Sequence, residues 1–518
     1  MKSFLSSRQS VLIPLLIILS LGILLPLPPL SANPLHHDEA LYAYWGRLIA
    51  SGQDGMLNTV PVDKPPLFIY TVALFFKTLG VSKTAARIPS LIANVALIAF
   101  TYGLGKRLYG RSTGLLAALL LALSPFTILF AAAALTDPLM TAFVMAAVWA
   151  AVAKKPVWAG LSLGLAAATK QQGLFFFPLV LGAVLMKEEG GRRKAEGGRQ
   201  KAEGGKKMFH PSAFILHPSS FILPPSAFLL AFAVMLLIPL IWDFERAYRP
   251  GFWLQSSLSY GPVTFGGAQF VDRLMGFVDL LKFAAGSQIL NGVFLIGLPI
   301  LLLLDLFFRA PSRSHAEHGN EKKGEKALSD WLLAGFTLAF ILFHALFTFQ
   351  IWDRYLLGII PLLALLLARI LHLPFAVRKF TNSQIRHSLL ALIFALTAIL
   401  MAKPAQQATR SGYPIGGDHG AYYGAAETAA YLRGHAGANV TLYHRWLGAH
   451  WRYYLFDFPY DFRYWKSAED LAAQASTNAG GTQYIALPPW QSGAEAEWAL
   501  ADAGLSLSPV FRTYRPDG

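Results

Sequence analysis

The chain has 518 residues, 54% of them hydrophobic and 14% charged, with a formal net charge of +15 and a mean hydropathy of +0.45. Soluble domains carry nearer ~25% charged residues, so the composition excludes an ordinary soluble protein and indicates a polytopic membrane protein. No cysteine is present, which excludes disulfides and thiolate metal sites; the basic residues gather in short segments between apolar runs, so the charge reports membrane topology and implies no nucleic-acid partner.

In chain order, Val11 to Leu30 is apolar over about 20 residues, enough to cross a bilayer, and follows Lys2 and Arg8. Such a start also suits a secretory signal peptide. The run is long for one and Ser31-Ala32-Asn33 is a weak cleavage site, so it reads as an uncleaved signal anchor with its N-terminus in the cytoplasm. His36-His37-Asp38-Glu39 follows at once. Carboxylates are costly in hydrocarbon, so this pair is expected to meet water and a substrate at the membrane surface.

Pro66 to Gly80 is too short to span and reads as a re-entrant or interfacial helix. Ile88 to Leu104, Leu115 to Ala134, Leu139 to Val152, Val157 to Ala168 and Leu174 to Met186 then alternate across the membrane, with further spans near 226–242, 288–308, 331–350, 355–371 and 388–402. That gives about eleven spans, a polytopic domain over 1–402, with Lys106, Arg107, Lys154, Lys155, Arg313, Lys322 and Arg378 inside. An odd count places 403–518 on the outer face.

Residues 190–225 depart from this plan. Lys194-Ala195-Glu196-Gly197-Gly198-Arg199-Gln200 is echoed by Lys201-Ala202-Glu203-Gly204-Gly205-Lys206-Lys207, and a second heptad begins at His210, His217 and Pro224. Glycine pairs and Pro-Ser steps break helices and leave no coiled-coil seam. Plausible codons of one array read backwards as the other, the mark of an inverted DNA repeat, so this is expected to be an inserted cytoplasmic loop without a functional role, running into the start of the next helix. Residues 403–518 read as a small α/β domain, with strand-like runs at Asn439 to Tyr443, Tyr484 to Leu487 and Pro509 to Tyr514, and helices at Ala468 to Ala475 and Ala494 to Ala503. Its aromatic patch from Trp446 to Trp465 suits either a membrane interface and sugar stacking or a small core with a polar rim.

Asp38, Glu39, Lys64, Arg87, Asp137, Lys170 and Asp353-Arg354 all fall near helix ends on the outer side. Each has a plain alternative: Asp38, Glu39 and Asp137 as helix caps, the cations as interfacial anchors. Collected on one side of the membrane, they imply one site, with carboxylates for proton transfer and cations for a phosphate. His36, His37 and Glu39 are candidate ligands for a divalent cation, against the reading of solvated loop histidines.

In order, Asp38-Glu39-Ala-Leu-Tyr42, Lys64-Pro65-Pro66-Leu67, Ala86-Arg87-Ile-Pro89-Ser, Leu135-Thr136-Asp137-Pro138, Thr169-Lys170 and Asp353-Arg354-Tyr355 resemble the bacterial dolichyl-phosphate-mannose protein mannosyltransferases, including the lipid A aminoarabinose transferases, which are GT-C glycosyltransferases. The resemblance is tightest over 36–175, returns around Arg354 and is loose over the tail. It implies an all-α GT-C membrane domain with a small periplasmic α/β domain, in the inner membrane with the active site on the periplasmic face. It also implies inverting transfer of a sugar from a polyisoprenyl-phosphate donor to a lipid, glycan or protein acceptor. By similarity Asp38 is the general base or orients the acceptor, Glu39 and Asp137 support it electrostatically or through a metal, and Lys64 and Arg354, with Arg87 or Lys170, hold the lipid phosphate. A transporter or flippase would place ionisable groups near mid-span, where spans two to six are nearly free of charge; a non-catalytic lipid-binding scaffold is the other alternative. Acceptor choice is expected in the tail and in the loop over 244–285, where Trp253, Tyr260 and Phe265 flank glycines that suit a closing loop.

Overall fold

A computed structural model describes residues 2–186, 219–308, 317–374, 383–417, 420–435, 437, 439–478 and 480–514. Helices α1 (Lys2–Leu24) and α2 (Leu27–Ala32) make one apolar path interrupted at Pro26, with Leu12–Ala32 long enough to span. Helix α3 (His37–Ser51) starts on a reciprocal cap. The Asp38 N–H donates to His36 Nδ1 at 3.1 Å and the His36 N–H donates to Glu39 Oε2 at 2.8 Å, which satisfies amides the first turn leaves unpaired.

Helix α4 (Leu67–Leu79) is the short apolar helix that the sequence marks, and α5 (Lys83–Leu108) is a full span capped by Ser82. Next come α6 (Arg111–Ala122), α7 (Pro125–Ala131), α8 (Thr136–Val152), α9 (Pro156–Thr169) and α10 (Gln171–Met186). The expected single span from Leu115 to Ala134 is instead broken: α6 and α7 meet at 59°. Pro125 has no N–H to continue the ladder, and Ser124 Oγ donates to the Ala284 carbonyl at 2.5 Å, fixing the bend. Against each other α5 and α6 pack closely, since a Cβ on Gly105 would lie 2.8 Å from Gly114 Cα.

Helix α11 (Ser219–Glu245) is followed by α12 (Phe252–Tyr260), α13 (Phe270–Leu281), α14 (Gln288–Phe308), α15 (Glu317–Leu346), α16 (Ile360–Leu371, entered through tight turns from Asp353) and α17 (Ser383–Thr409). Most of the repeat lies outside the described residues. Its last heptad is helical, in α11, where the start of the next helix is expected, and the apolar span runs over Pro225–Glu245. Among the described residues seven helices are long and apolar enough to cross a membrane, eight with the bent pair as one. The other three of the expected spans are α8, α9 and α10, which are shorter; α9, with 14 residues, reaches only ~21 Å of a ~30 Å core.

The tail carries α18 (Ala425–His435), β1 (Val440–His444), α19 (Gly448–Tyr454), β2 (Asp461–Tyr464), α20 (Ala468–Thr477), β3 (Thr482–Ile485) and α21 (Ala494–Asp502). The sheet is parallel in the order β2-β1-β3, and β1 is buried throughout, as a parallel central strand must be. Strand β2 was hidden in the aromatic patch. The expected strand from Pro509 to Tyr514 does not form; Phe511 stacks on Tyr431 of α18 at 4.7 Å instead. The patch itself divides: Trp451, Tyr453 and Trp465 are buried, whereas Trp446 and Tyr464 are half exposed.

The tail docks on the loop that precedes α3. His450 Nε2 donates to the Leu35 carbonyl at 2.9 Å, Arg47 donates to the Tyr453 carbonyl at 2.8 Å and pairs with Asp457, and Tyr422 lies between His36 and His450.

Candidate active site

Five chain segments bring charge to one end of the helical bundle: the start of α3, the loop before α4, the start of α8, the break between α9 and α10, and the entry to α16. Three ion pairs result, Asp63 with Lys64 and Asp137 with Lys170, both buried, and Asp38 with Arg354, largely buried. Asp137 Oδ1 accepts from Lys170 Nζ at 2.5 Å. The Lys64 ammonium also donates to Tyr260 Oη at 3.2 Å and lies 4.6 Å from that ring. Lys170 and Arg354 sit over the rings of Tyr355 and Trp352, at 4.8 and 4.0 Å. Aromatic faces stabilise cations that burial has stripped of water.

The pairs share one field. Burial opposes the charged form of Asp38, but Arg354, His36 and Lys64 outweigh it and hold that carboxyl below the usual range. Burial pushes Lys170 down to about 8 against the pull of Asp137, with Arg354 and Lys64 adding like-charge repulsion. Burial, reinforced by Asp63 and Asp38, raises the Tyr260 hydroxyl, which therefore stays protonated as a donor. Two polar atoms here are buried without a hydrogen-bond partner, Asp63 Oδ1 and Arg354 Nε.

Glu39 and Arg87 are arranged differently. Glu39 accepts from Arg87 Nε and Nη2, the Ala134 N–H and the His36 N–H, at 2.6 to 2.8 Å. Arg87 directs its remaining N–H groups at the carbonyls of Leu30, Asn33 and Pro34, at 2.7 to 3.0 Å. All five guanidinium donors are engaged, leaving none for a phosphate in this arrangement. The pair instead ties α3, α5, the end of α2 and the start of α8 together.

The residues expected to hold a metal do not fit one. Among the described residues no group of three or more His, Cys, Asp or Glu is arranged around a cation position; Glu39 is saturated, and His36 Nδ1 caps α3. His37 lies 6.1 Å from His450, ring to ring, and burial lowers its basicity.

The motifs do not single out Asp63, Trp352 or Arg246, and they mark Tyr260 only as a loop aromatic and Tyr355 only as a neighbour of Arg354. Asp63 directly precedes the Lys64-Pro65-Pro66 motif, a signal within reach. Arg246 is fully buried at the end of α11 and donates to the carbonyls of Leu57 and Val60 at 2.9 to 3.2 Å, bracing the Lys64 loop; nothing local distinguishes it from a basic loop residue. Asp353, named with Arg354, accepts from the N–H groups of Arg354 and Gly416 at 2.8 and 2.6 Å and so anchors the segment rather than joining an ion pair.

Residues 63–196, which include Lys64, Arg87, Asp137 and Lys170, match the family described as dolichyl-phosphate-mannose-protein mannosyltransferase. The structure of ArnT from Cupriavidus metallidurans bound to undecaprenyl phosphate aligns with a TM-score of 0.59 and 14% identity, covering 91% of this chain and 89% of that one. The same protein in the apo state aligns with a TM-score of 0.58 at 14% identity, over 93% and 90%. No curated protein matches the chain by sequence. The resemblance to GT-C glycosyltransferases is thus met both in the family match and in an ArnT-like fold.

Proposed function

We propose that this protein transfers a sugar from a polyisoprenyl-phosphate donor to an acceptor hydroxyl, with inversion, at the extracytoplasmic surface of the plasma membrane. The observation that carries the reading is the convergence of three buried or largely buried ion pairs at one end of an apolar bundle. Buried pairs contribute little to stability over apolar packing, so three of them together are better explained by a ligand of high charge that engages the cations. A phosphodiester whose hydrocarbon tail lies among the helices meets that description, and ArnT, whose fold this chain shares, has been captured with such a lipid phosphate.

In the displacement, the acceptor oxygen forms a bond to the anomeric carbon as the bond from that carbon to the phosphate oxygen breaks. The acceptor proton passes to a carboxylate, and the polyprenyl phosphate leaves with its charge held by Lys64, Lys170 and Arg354. Asp38 is the base. While it is paired with Arg354 it is a weak one; a phosphate that draws Arg354 away frees the carboxylate and raises its basicity as the donor arrives. Asp137 and Asp63 perform the same exchange for Lys170 and Lys64. Glu39 and Arg87 act by holding the first turn of α3, which carries Asp38.

Binding of undecaprenyl phosphate to purified protein tests the phosphate half of this reading. Lys64→Ala and Arg354→Ala are each expected to weaken binding about tenfold or more, in line with a charge-assisted contact. Unchanged affinity in both variants would refute it. The donor sugar class and the acceptor, whether lipid, glycan or protein, are read from transfer of labelled sugar to membrane acceptors.

A further inference from the structure

At the end of the bundle opposite the ion pairs, α5, α8, α10 and α15 line a cavity of about 360 Å³. Its mouth carries Lys106, Arg107 and Lys326 against one carboxylate, Glu325, and its wall includes Met186 and Leu332. Lys106 and Arg107 are exposed at the end of α5, at the level where basic side chains meet lipid headgroups on the cytoplasmic side. A basic rim over an aliphatic wall between transmembrane helices is complementary to one class of ligand, an anionic phospholipid with its phosphate at the rim and its acyl chains against the wall.

The cavity has a further property. Three of its four helices carry residues of the candidate site at their other ends: α5 bears Arg87, α8 bears Asp137, and α10 begins directly after Lys170. We propose that this cavity binds the headgroup of an anionic glycerophospholipid, which wedges between these helices and sets their packing. The proposal is independent of the sugar-transfer reading.

The test uses the purified full-length chain with an equimolar mixture of dioleoylphosphatidylglycerol and dioleoylphosphatidylcholine, with bound lipid counted by native mass spectrometry. The wild type is expected to retain phosphatidylglycerol preferentially. Lys106→Gln/Arg107→Gln, both exposed and so tolerated by the fold, is expected to lower that retention on the order of 25-fold, from roughly fivefold for each cation near a phosphate. Leu332→Trp, which fills the wall but keeps the charges, is expected to reduce retention as well. Equal retention of the two lipids, or equal phosphatidylglycerol retention by the wild type and the double variant, would overturn the proposal. Displacement of the lipid by inorganic phosphate at millimolar concentration would also overturn it, because the cavity would then be a free-anion site.

Discussion

Asp38 and Glu39 are adjacent carboxylates with opposite surroundings. Glu39 is surrounded by four donors and locked to a guanidinium that is itself fully engaged, whereas Asp38 has one strong partner that a phosphate can claim. Removing one half of a buried pair leaves the other charged and dry, at a cost of ~3–5 kcal/mol. Glu39→Gln is therefore expected to lower the unfolding stability by about 3 kcal/mol, and Arg87→Met in the same chain to recover part of it. Thermal or denaturant unfolding checks this, and an unchanged midpoint in Glu39→Gln would contradict it. The Asp38 pair with Arg354 is partly open to solvent, unlike that of Glu39, so Asp38→Asn is expected to cost less than Glu39→Gln and to keep the fold. Lys170 supplies a pH signature. In the free protein it loses its proton as pH rises through about 8, and only its charged form holds phosphate, so affinity for undecaprenyl phosphate should fall on the alkaline side of pH 8. Lys170→Arg should move that limb upward, since a guanidinium stays charged; a limb unmoved in the variant would assign the titration elsewhere.

At the level of elements, the contact between α5 and α6 depends on two glycines. Gly105→Val would push its side chain into the Gly114 backbone and is expected to cost ~1–3 kcal/mol of stability, with more loss of activity than its distance from the site suggests, because α5 carries Arg87. A melting curve and a binding isotherm on the same preparation would check both effects; a variant as stable as the wild type would show that the helices can separate freely. Helix α19 sets a second dependence. Burial lowers His450 to about 4, and His444 on β1 behaves likewise. Below about pH 6.5 the unfolded chain binds protons that these folded histidines refuse. Stability is then lost as pH falls from 6.5 towards 4 and levels off once the folded histidines also protonate. His450→Gln should flatten part of this slope in unfolding measured across that range, leaving the share of His444.

Across the whole molecule, the apolar runs and their basic flanks foretell most of the helical order, because bilayer burial enforces long apolar segments whatever their partners. The break at Ser124 and Pro125 was less legible, as its stabilising contact, the Ala284 carbonyl, lies 160 residues away. Motif order brings out Asp38, Lys64, Asp137, Lys170 and Arg354, and the structure gathers these five at one end. It could not separate Arg87 from Lys64, Lys170 and Arg354, since the carbonyls that occupy its guanidinium belong to a different helix end. Nor could it reveal that the tail, through His450, Tyr453 and Asp457, packs on α3 and the loop before it, beside the candidate base. Whether Asp38 serves sugar transfer from a polyisoprenyl phosphate is decided by incubating radiolabelled polyprenyl-phosphate sugars with membrane acceptors and comparing the intact chain with Asp38→Asn in matched, correctly inserted preparations. Transfer from at least one donor is expected of the intact chain, reduced by ~10²–10⁴ in the variant while undecaprenyl phosphate binding persists. Equal transfer by both proteins, or no transfer from any donor, would contradict it.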